Sequence, residues 1–398
     1  MSTAWPVALG RGRAGVRPAP LELYVVAALA YAAFGAIFQA LPPFFEDLGR
    51  ELSVGRTLTG LSMAAFLAPV AFASLLLGQG VDRYGTGRVG RLGFVLLLGG
   101  GALTALAGSI GFLLTARAVA GLGGGMVLLA TLKLLAIRLP AARLGRAFGV
   151  FVAGLPVGTG IAFDLLNRLP SWRASAVVAT TLVVPAGLAF TRLGSAEAEA
   201  APRRSPRADV AALLARPALR QLTVLVLLGY AAIIAFTTWA PTRLVAHGGL
   251  AIETAALIAS VLLIIDIPFA PLWGRVSDRV GRRKPFIVAS FLVYGVGAFF
   301  VPAAARAGAV PLLLVVGAMG IGCAMFFPAT LAVPQAIVPE PLLGAAYGLI
   351  LTAQALGMAL GPLALGAVFD HGAVPLGFFV IGGMAGAGLV LALRLNAR

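Results

Sequence analysis

The sequence predicts an all-α polytopic membrane protein, with twelve transmembrane helices in two six-helix, pseudo-symmetric bundles. Three observations predict it: the chain is apolar along its whole length, its apolar runs have bilayer-spanning length, and one loop pattern occurs twice. Of 398 residues, 60% are hydrophobic and 11% charged, with a mean hydropathy of +1.00. Soluble domains place roughly a quarter of their residues in Asp, Glu, Lys and Arg, so too little polar surface exists here to cover a water-soluble globule. The solvent of the body is lipid. The runs are continuous and about twenty residues long, which suits helices and excludes a barrel of alternating ten-residue strands. Plentiful glycine (51) and proline (25) fit close-packed or bent helices in a bilayer.

On that ruler the first half divides near 21–45, 57–80, 91–109, 111–132, 147–166 and 173–191. Residues 193–218 are charged and proline-bearing and lack a long apolar run, so they read as a linker. The second half gives 219–240, 254–273, 285–304, 309–332, 343–368 and 374–394. Four regions follow: a cytoplasmic tail over 1–20, a first bundle over 21–192, a cytoplasmic linker over 193–218 and a second bundle over 219–398.

Loop charge orients the spans. With the N-terminus inside, one face collects Arg83, Arg88, Arg91, Arg138, Arg143, Arg146, Arg275, Arg279, Arg282, Arg283 and Lys284, with further arginines in the tail and linker. The other face holds Arg50, Arg56, Arg168, Arg173, Arg243 and Arg306. The positive-inside rule then puts both termini in the cytoplasm of a multi-pass inner-membrane protein. The net charge of +16 is accounted for by these loops, and no nucleic-acid partner is expected. The lone Cys323 excludes an internal disulfide, and His247 and His371, read as loop residues, build no metal site. No metal or cofactor is expected. Neither a phosphate-binding G-x-x-x-x-G-K-[ST] nor an H-E-x-x-H pattern is present, which argues against an ATP-driven pump and a metalloprotease.

Two loops match. Gly78-Gln-Gly-Val-Asp82-Arg83-Tyr-Gly85 and Gly274-Arg-Val-Ser-Asp278-Arg279-Val-Gly281-Arg282-Arg283-Lys284 lie 196 residues apart, each after the second span of its half. Such spacing marks two copies of a six-helix unit. The pattern resembles the signature loop of the major facilitator superfamily over essentially the whole chain. That resemblance implies a secondary transporter, not an enzyme, in which these residues form a cytoplasmic gate. The first copy has Thr86-Gly87 where the pattern carries two basic residues. Arg117, followed by Gly121 and Gly123, is similar to the family's fourth-span motif, whose arginine is associated with proton handling. Gly154-Leu-Pro-Val-Gly-Thr-Gly160 resembles a span-5 motif of exporters without its Gly-Pro pair. Gly357-Met-Ala-Leu-Gly-Pro-Leu-Ala-Leu-Gly366 with Phe369-Asp370, and Asp266-Ile-Pro-Phe-Ala-Pro271, are similar to monocarboxylate, oxalate/formate and cyanate carriers, with Ala270 where an arginine would stand.

An ionised side chain near the bilayer centre costs roughly 2.5–3.5 kcal/mol on insertion scales. Asp266, about 10 Å from the cytoplasmic end of span 8 at 1.5 Å per residue, therefore needs a reason to be there. A charge there is costly, which suits the carboxyl to taking up a proton on one face and releasing it on the other; a static helix cap is the alternative. Arg117, read as cavity-facing, binds an anion or modulates Asp266, with a fixed charge as the alternative. Lys133 is expected to snorkel to the cytoplasmic surface. Tyr31 and Gln39 on span 1, Tyr230 on span 7, and Thr352 and Gln354 on span 11 are the cavity candidates, with plain interhelical hydrogen bonding as the alternative. The expected activity is proton-coupled symport of a small organic anion by a monomer in the lipid bilayer; export of drugs or other amphiphilic compounds is the alternative.

Overall fold

The computed structural model describes residues 20–193, 211–371 and 374–395, and every regular element among them is helical. Span 1 is Pro20–Gln39, followed by a short helix Phe45–Glu51; spans 2 to 5 are Arg56–Tyr84, Thr86–Ala105, Ile110–Arg138 and Ala141–Gly160. Span 6 comprises Trp172–Thr181 and Val183–Arg192. Span 7 is Pro217–Gly248, span 8 is Ile252–Ile264 continued by Asp266–Val280, and spans 9 to 12 are Lys284–Ala307, Ala309–Ile337, Leu343–His371 and Val374–Arg394. Eleven of these helices are long and apolar enough to cross a membrane. Span 5 falls below that measure because Arg143, Arg146 and a run of glycines dilute its apolar residues. Most of the linker lies outside the described residues.

Several ends differ from the sequence expectation. Span 3 begins at Thr86, because Gly85, at φ 85°, reverses the chain in a single residue. Span 7 continues through Pro241 to Gly248, and Gly249 at φ 65° closes it. His247 therefore lies in a last helical turn and not in a loop. Span 8 breaks at Ile265. Pro268 and Pro271 have no N–H for the carbonyls of Ile264 and Ile267, which weakens the helix there. Asp266 opens the 15-residue second segment, so at 1.5 Å per residue it stands roughly 20 Å from the end of the helix at Val280.

Glycine sets the packing inside each bundle. Span 1 lies on span 5, and span 7 lies on span 11. A Cβ added to Gly154 would stand 2.5 Å from the Ala28 carbonyl oxygen and 3.1 Å from the Tyr31 Cβ. One added to Gly357 would stand 2.5 Å from the Leu227 carbonyl oxygen and 3.1 Å from the Tyr230 Cβ. The same contact is thus built twice, once per half. Lipid tails are as apolar as leucine, so close backbone approach takes the place of hydrophobic burial in holding membrane helices together. Between the halves, span 2 packs on span 11, and span 5 on spans 8 and 10.

Replacing Gly154 or Gly357 with Val should destabilise the protein by about 1–3 kcal/mol through overpacking, read as a lowered unfolding temperature in detergent. Wild-type melting of both variants would refute this packing account.

Candidate functional site

The two sequence-matched loops place their aspartates on helix N-termini of the opposite half. The first N–H groups of a helix have no partner within it and carry partial positive charge. Asp82 uses this at span 11: its Oδ1 accepts from the Gly344 N–H at 2.8 Å and its Oδ2 from the Ala345 N–H at 2.9 Å. Asp278 makes a related contact at span 5, accepting from the N–H groups of Gly145 and Arg146, both at 2.8 Å, one turn inside a helix that starts at Ala141. Each carboxylate also holds a cation. Lys133 Nζ donates to Asp82 Oδ1 at 2.6 Å, and Arg283 Nη2 to Asp278 Oδ1 at 2.6 Å.

The glycines make this reach possible. A Cβ on Gly78 would stand 2.7 Å from the Gly344 carbonyl oxygen, and one on Gly145 would stand 2.5 Å from that of Gly274. Gly85 and Gly281, at φ 85° and 69°, form the turns that follow. Further bonds cross at the same end: Arg283 Nη2 donates to the Ala141 carbonyl at 2.8 Å, and Gln335 Nε2 to that of Ala136 at 2.6 Å. Arg83, Arg279 and Arg282 are exposed and stand outside the lock. Arg83 lies over the Tyr84 ring at 5.3 Å.

Lys133 corrects the expectation of a snorkelling side chain. It is 8% exposed and ion-paired. Its position also accounts for the departure in the first loop: where Thr86-Gly87 replaces the basic pair, span 4 supplies the cation from a distance. A single lysine in a long apolar run was the available signal.

Midway along the spans a second cluster joins the halves. Gln354 Nε2 donates to the Tyr31 hydroxyl at 2.8 Å, and the Tyr230 hydroxyl lies near enough to interact with that of Tyr31. Tyr31 and Tyr230 are the residues at the repeated glycine contacts, so the pseudo-symmetry brings equivalent side chains together. Tyr31 stacks on Phe151 with ring centroids 4.6 Å apart, and Tyr230 lies against Phe327 at 4.4 Å. Asp266 is 3% exposed, its Oδ1 has no hydrogen-bond partner, and its charge is felt by Tyr31, Tyr230 and Cys323. Thr352 instead donates to the Ala71 and Gly348 carbonyls at 3.1 and 2.8 Å. Gln39 sits two helical turns from Tyr31 at the opposite end of span 1 and does not join this centre.

Arg117 is not brought to Asp266. Its Nη1 donates to the Ile37 carbonyl at 2.8 Å, its Nη2 to that of Phe38 at 2.9 Å and its Nε to that of Ser62 at 3.3 Å. The Phe66 ring lies 4.5 Å beneath it. The Ile37 and Phe38 carbonyls close the C-terminal end of span 1, where a cation is favoured, and that of Ser62 lies in span 2. All of these contacts stay in the first bundle.

A helical membrane protein of two equivalent halves, hinged on reciprocal helix caps around a buried polar centre, has the architecture of a secondary transporter. The family model of the Major Facilitator Superfamily matches residues 23–265 and 244–398, and the chain belongs to that family. It is 26% identical over 361 residues to a chloramphenicol resistance protein of Streptomyces lividans, covering 88% of this chain and 90% of that one. It is 25% identical over 334 residues to a nitrite extrusion protein of Bacillus subtilis, covering 82% of each. The human organic anion transporter MFSD10 has the same fold, with a TM-score of 0.76 and 17% identity over 94% of this chain and all of that one.

Lys133→Ala should destabilise the protein by about 3–5 kcal/mol, because it leaves Asp82 buried without its cation. Asp82→Asn combined with Lys133→Met should cost clearly less than the two single changes summed, in a double-mutant cycle of detergent unfolding. Strict additivity would remove the pair from the lock.

Proposed function

We propose that this protein is a proton-coupled exporter of uncharged or cationic amphiphilic compounds, working by alternating access across the inner membrane with both termini in the cytoplasm. The observation that carries this reading is the makeup of the buried centre. It contains paired aromatic rings and, within electrostatic reach of Tyr31 and Tyr230, a buried carboxylate with an unpartnered oxygen. Among the described residues, the two buried cations are committed elsewhere, Arg117 to backbone carbonyls and Lys133 to Asp82. An anionic solute would meet Asp266 and find no counter-charge from either. A neutral or cationic aromatic solute would meet π-faces and a carboxylate, which favour it. The resistance protein of Streptomyces lividans, similar along most of both chains, supports export.

The cycle follows from Asp266. With the arginine-rich, cytoplasmic end open, the ionised carboxylate attracts the solute. With the opposite end open, a proton neutralises it and the solute leaves. The return releases that proton inside, so one proton moves in as one solute moves out. Asp82 and Asp278 are the gate: their caps on spans 11 and 5 hold the cytoplasmic end shut and must break for it to open. Arg117 fixes the end of span 1 and has no part in coupling. Symport of a small organic anion is the second reading, favoured by the span 11 pattern and the nitrite-exporting relative.

In proteoliposomes with an acidic lumen, a lipophilic cation or a neutral aromatic should accumulate inside, and labelled carboxylates should not. With the gradient reversed, so that protons run into the vesicle, accumulation of labelled carboxylates without movement of the amphiphiles would favour the second reading instead. Asp266→Asn should abolish gradient-driven accumulation and leave solute exchange intact; undiminished accumulation would remove Asp266 from the coupling step. Arg117→Lys should lower the unfolding temperature without changing the pH profile of transport, and a shifted profile would return Arg117 to the proton path.

A further inference from the structure

Beside the second lock lies a cavity of about 430 Å³ lined by Tyr24, Ala142, Arg143, Arg146, Arg275, Asp278 and Arg279. Its walls come from span 1, the start of span 5 and the end of span 8, so both halves contribute. Among the described residues none of the four arginines is ion-paired, whereas the Asp278 oxygens are already taken by two backbone N–H groups and Arg283. Arg146 lies over the Tyr24 ring, its guanidinium carbon 5.2 Å from the centroid. Topology requires basic residues at this end, but it does not require them to converge on one hollow from two bundles.

We propose that this hollow binds a phosphate-bearing anion, the chemistry shared by an anionic phospholipid headgroup and a soluble organophosphate, and that the bound anion holds this end of the transporter shut. Planar guanidinium groups match phosphate oxygens two at a time. Arg143 and Arg146 approach from the first half, Arg275 and Arg279 from the second. Without an anion, like charges face each other across the seam between bundles, and their repulsion works against the Asp278 cap. A phosphate converts that repulsion into a bridge. Basic hollows between membrane helices at the cytoplasmic surface are suited to such headgroups, and this hollow lies at the arginine-rich end of spans 5 and 8. When the bundles rock apart the two pairs of arginines separate, so the anion binds the closed arrangement better, and only that difference in affinity shifts the equilibrium.

The test uses the full chain in nanodiscs, with Cys323→Ala, Tyr84→Cys and Val280→Cys carrying spin labels at the arginine-rich ends of the two halves. Wild-type arginines in dioleoylphosphatidylcholine discs containing dioleoylphosphatidylglycerol should show a larger short-distance population than in phosphatidylcholine alone. The measurement is made at physiological salt, where charges more than ~8 Å apart in water are largely screened. Adding glycerol phosphate to the phosphatidylcholine discs separates the sources: a shift there identifies a soluble ligand, and a shift with phosphatidylglycerol alone identifies the lipid. Arg143→Gln with Arg275→Gln should weaken the response roughly tenfold or more, since two charge-assisted contacts are lost. Should that pair fail to fold, Arg146→Gln with Arg279→Gln makes the same test. A response unchanged by the substitutions, or no shift with either phosphate, overturns the proposal. The same labels read the gate separately: if they move with solute or pH but not with phosphate, this site fails and the gate stands. If they move with nothing while native mass spectrometry shows arginine-dependent retention of phosphatidylglycerol, the site stands and the gate reading fails.

Discussion

The arrangement of the two bundles depends on carboxylates capping helix N-termini across the seam. Asp82 satisfies two backbone N–H groups that span 11 leaves unpaired at its start, and Asp278 accepts from two N–H groups in the second turn of span 5. The constraint extends outward from there. The helix being capped must come within reach of a carboxylate on the neighbouring span, which requires glycine on both surfaces, as at Gly78 and Gly344 and at Gly145 and Gly274. Close backbones in turn align span 2 with span 11 and span 5 with span 8, and the polar centre at Tyr31, Tyr230 and Gln354 lies further along the same seam.

Much of this fold was legible in the residues. Apolar run length gave the helices, and the repeated Gly-Asp-Arg-Gly loops identified the two halves, because both follow from local chemistry. The partner of each aspartate was not legible. Lys133 is 51 positions from Asp82 in the chain and pairs with it only once spans 2 and 4 are packed. The end of span 8 was not legible for a related reason: hydropathy falls near residue 273, whereas the helix continues through the polar motif to Val280. Arg117 was expected to face the centre because depth alone does not say which way a side chain points. Its carbonyl partners on spans 1 and 2 are tertiary contacts that no periodicity reveals.

The halves are equivalent in backbone and unequal in chemistry. Tyr31 and Tyr230 occupy matching places and meet at the centre, yet Asp266 opens a broken segment of span 8, and in span 2 the chain runs unbroken through Pro69. The lock shows the same divergence. Arg283 comes from the same loop as its aspartate, whereas Lys133 comes from another helix. Repetition supplies the scaffold, and substitution at a few positions places a single carboxylate off the symmetry axis.

The caps also set the terms on which the transporter turns over. When they part, water can take the place of each backbone donor and each carboxylate oxygen at the rim, so opening exchanges hydrogen bonds and does not simply lose them. The net worth of such an exchange is only about 0.5–1.5 kcal/mol per neutral bond and somewhat more with a charged acceptor. On the proposed gating, a latch built from exchangeable hydrogen bonds costs less to open than the sum of its contacts, and the buried Asp82–Lys133 pair is the part of it that water replaces least readily.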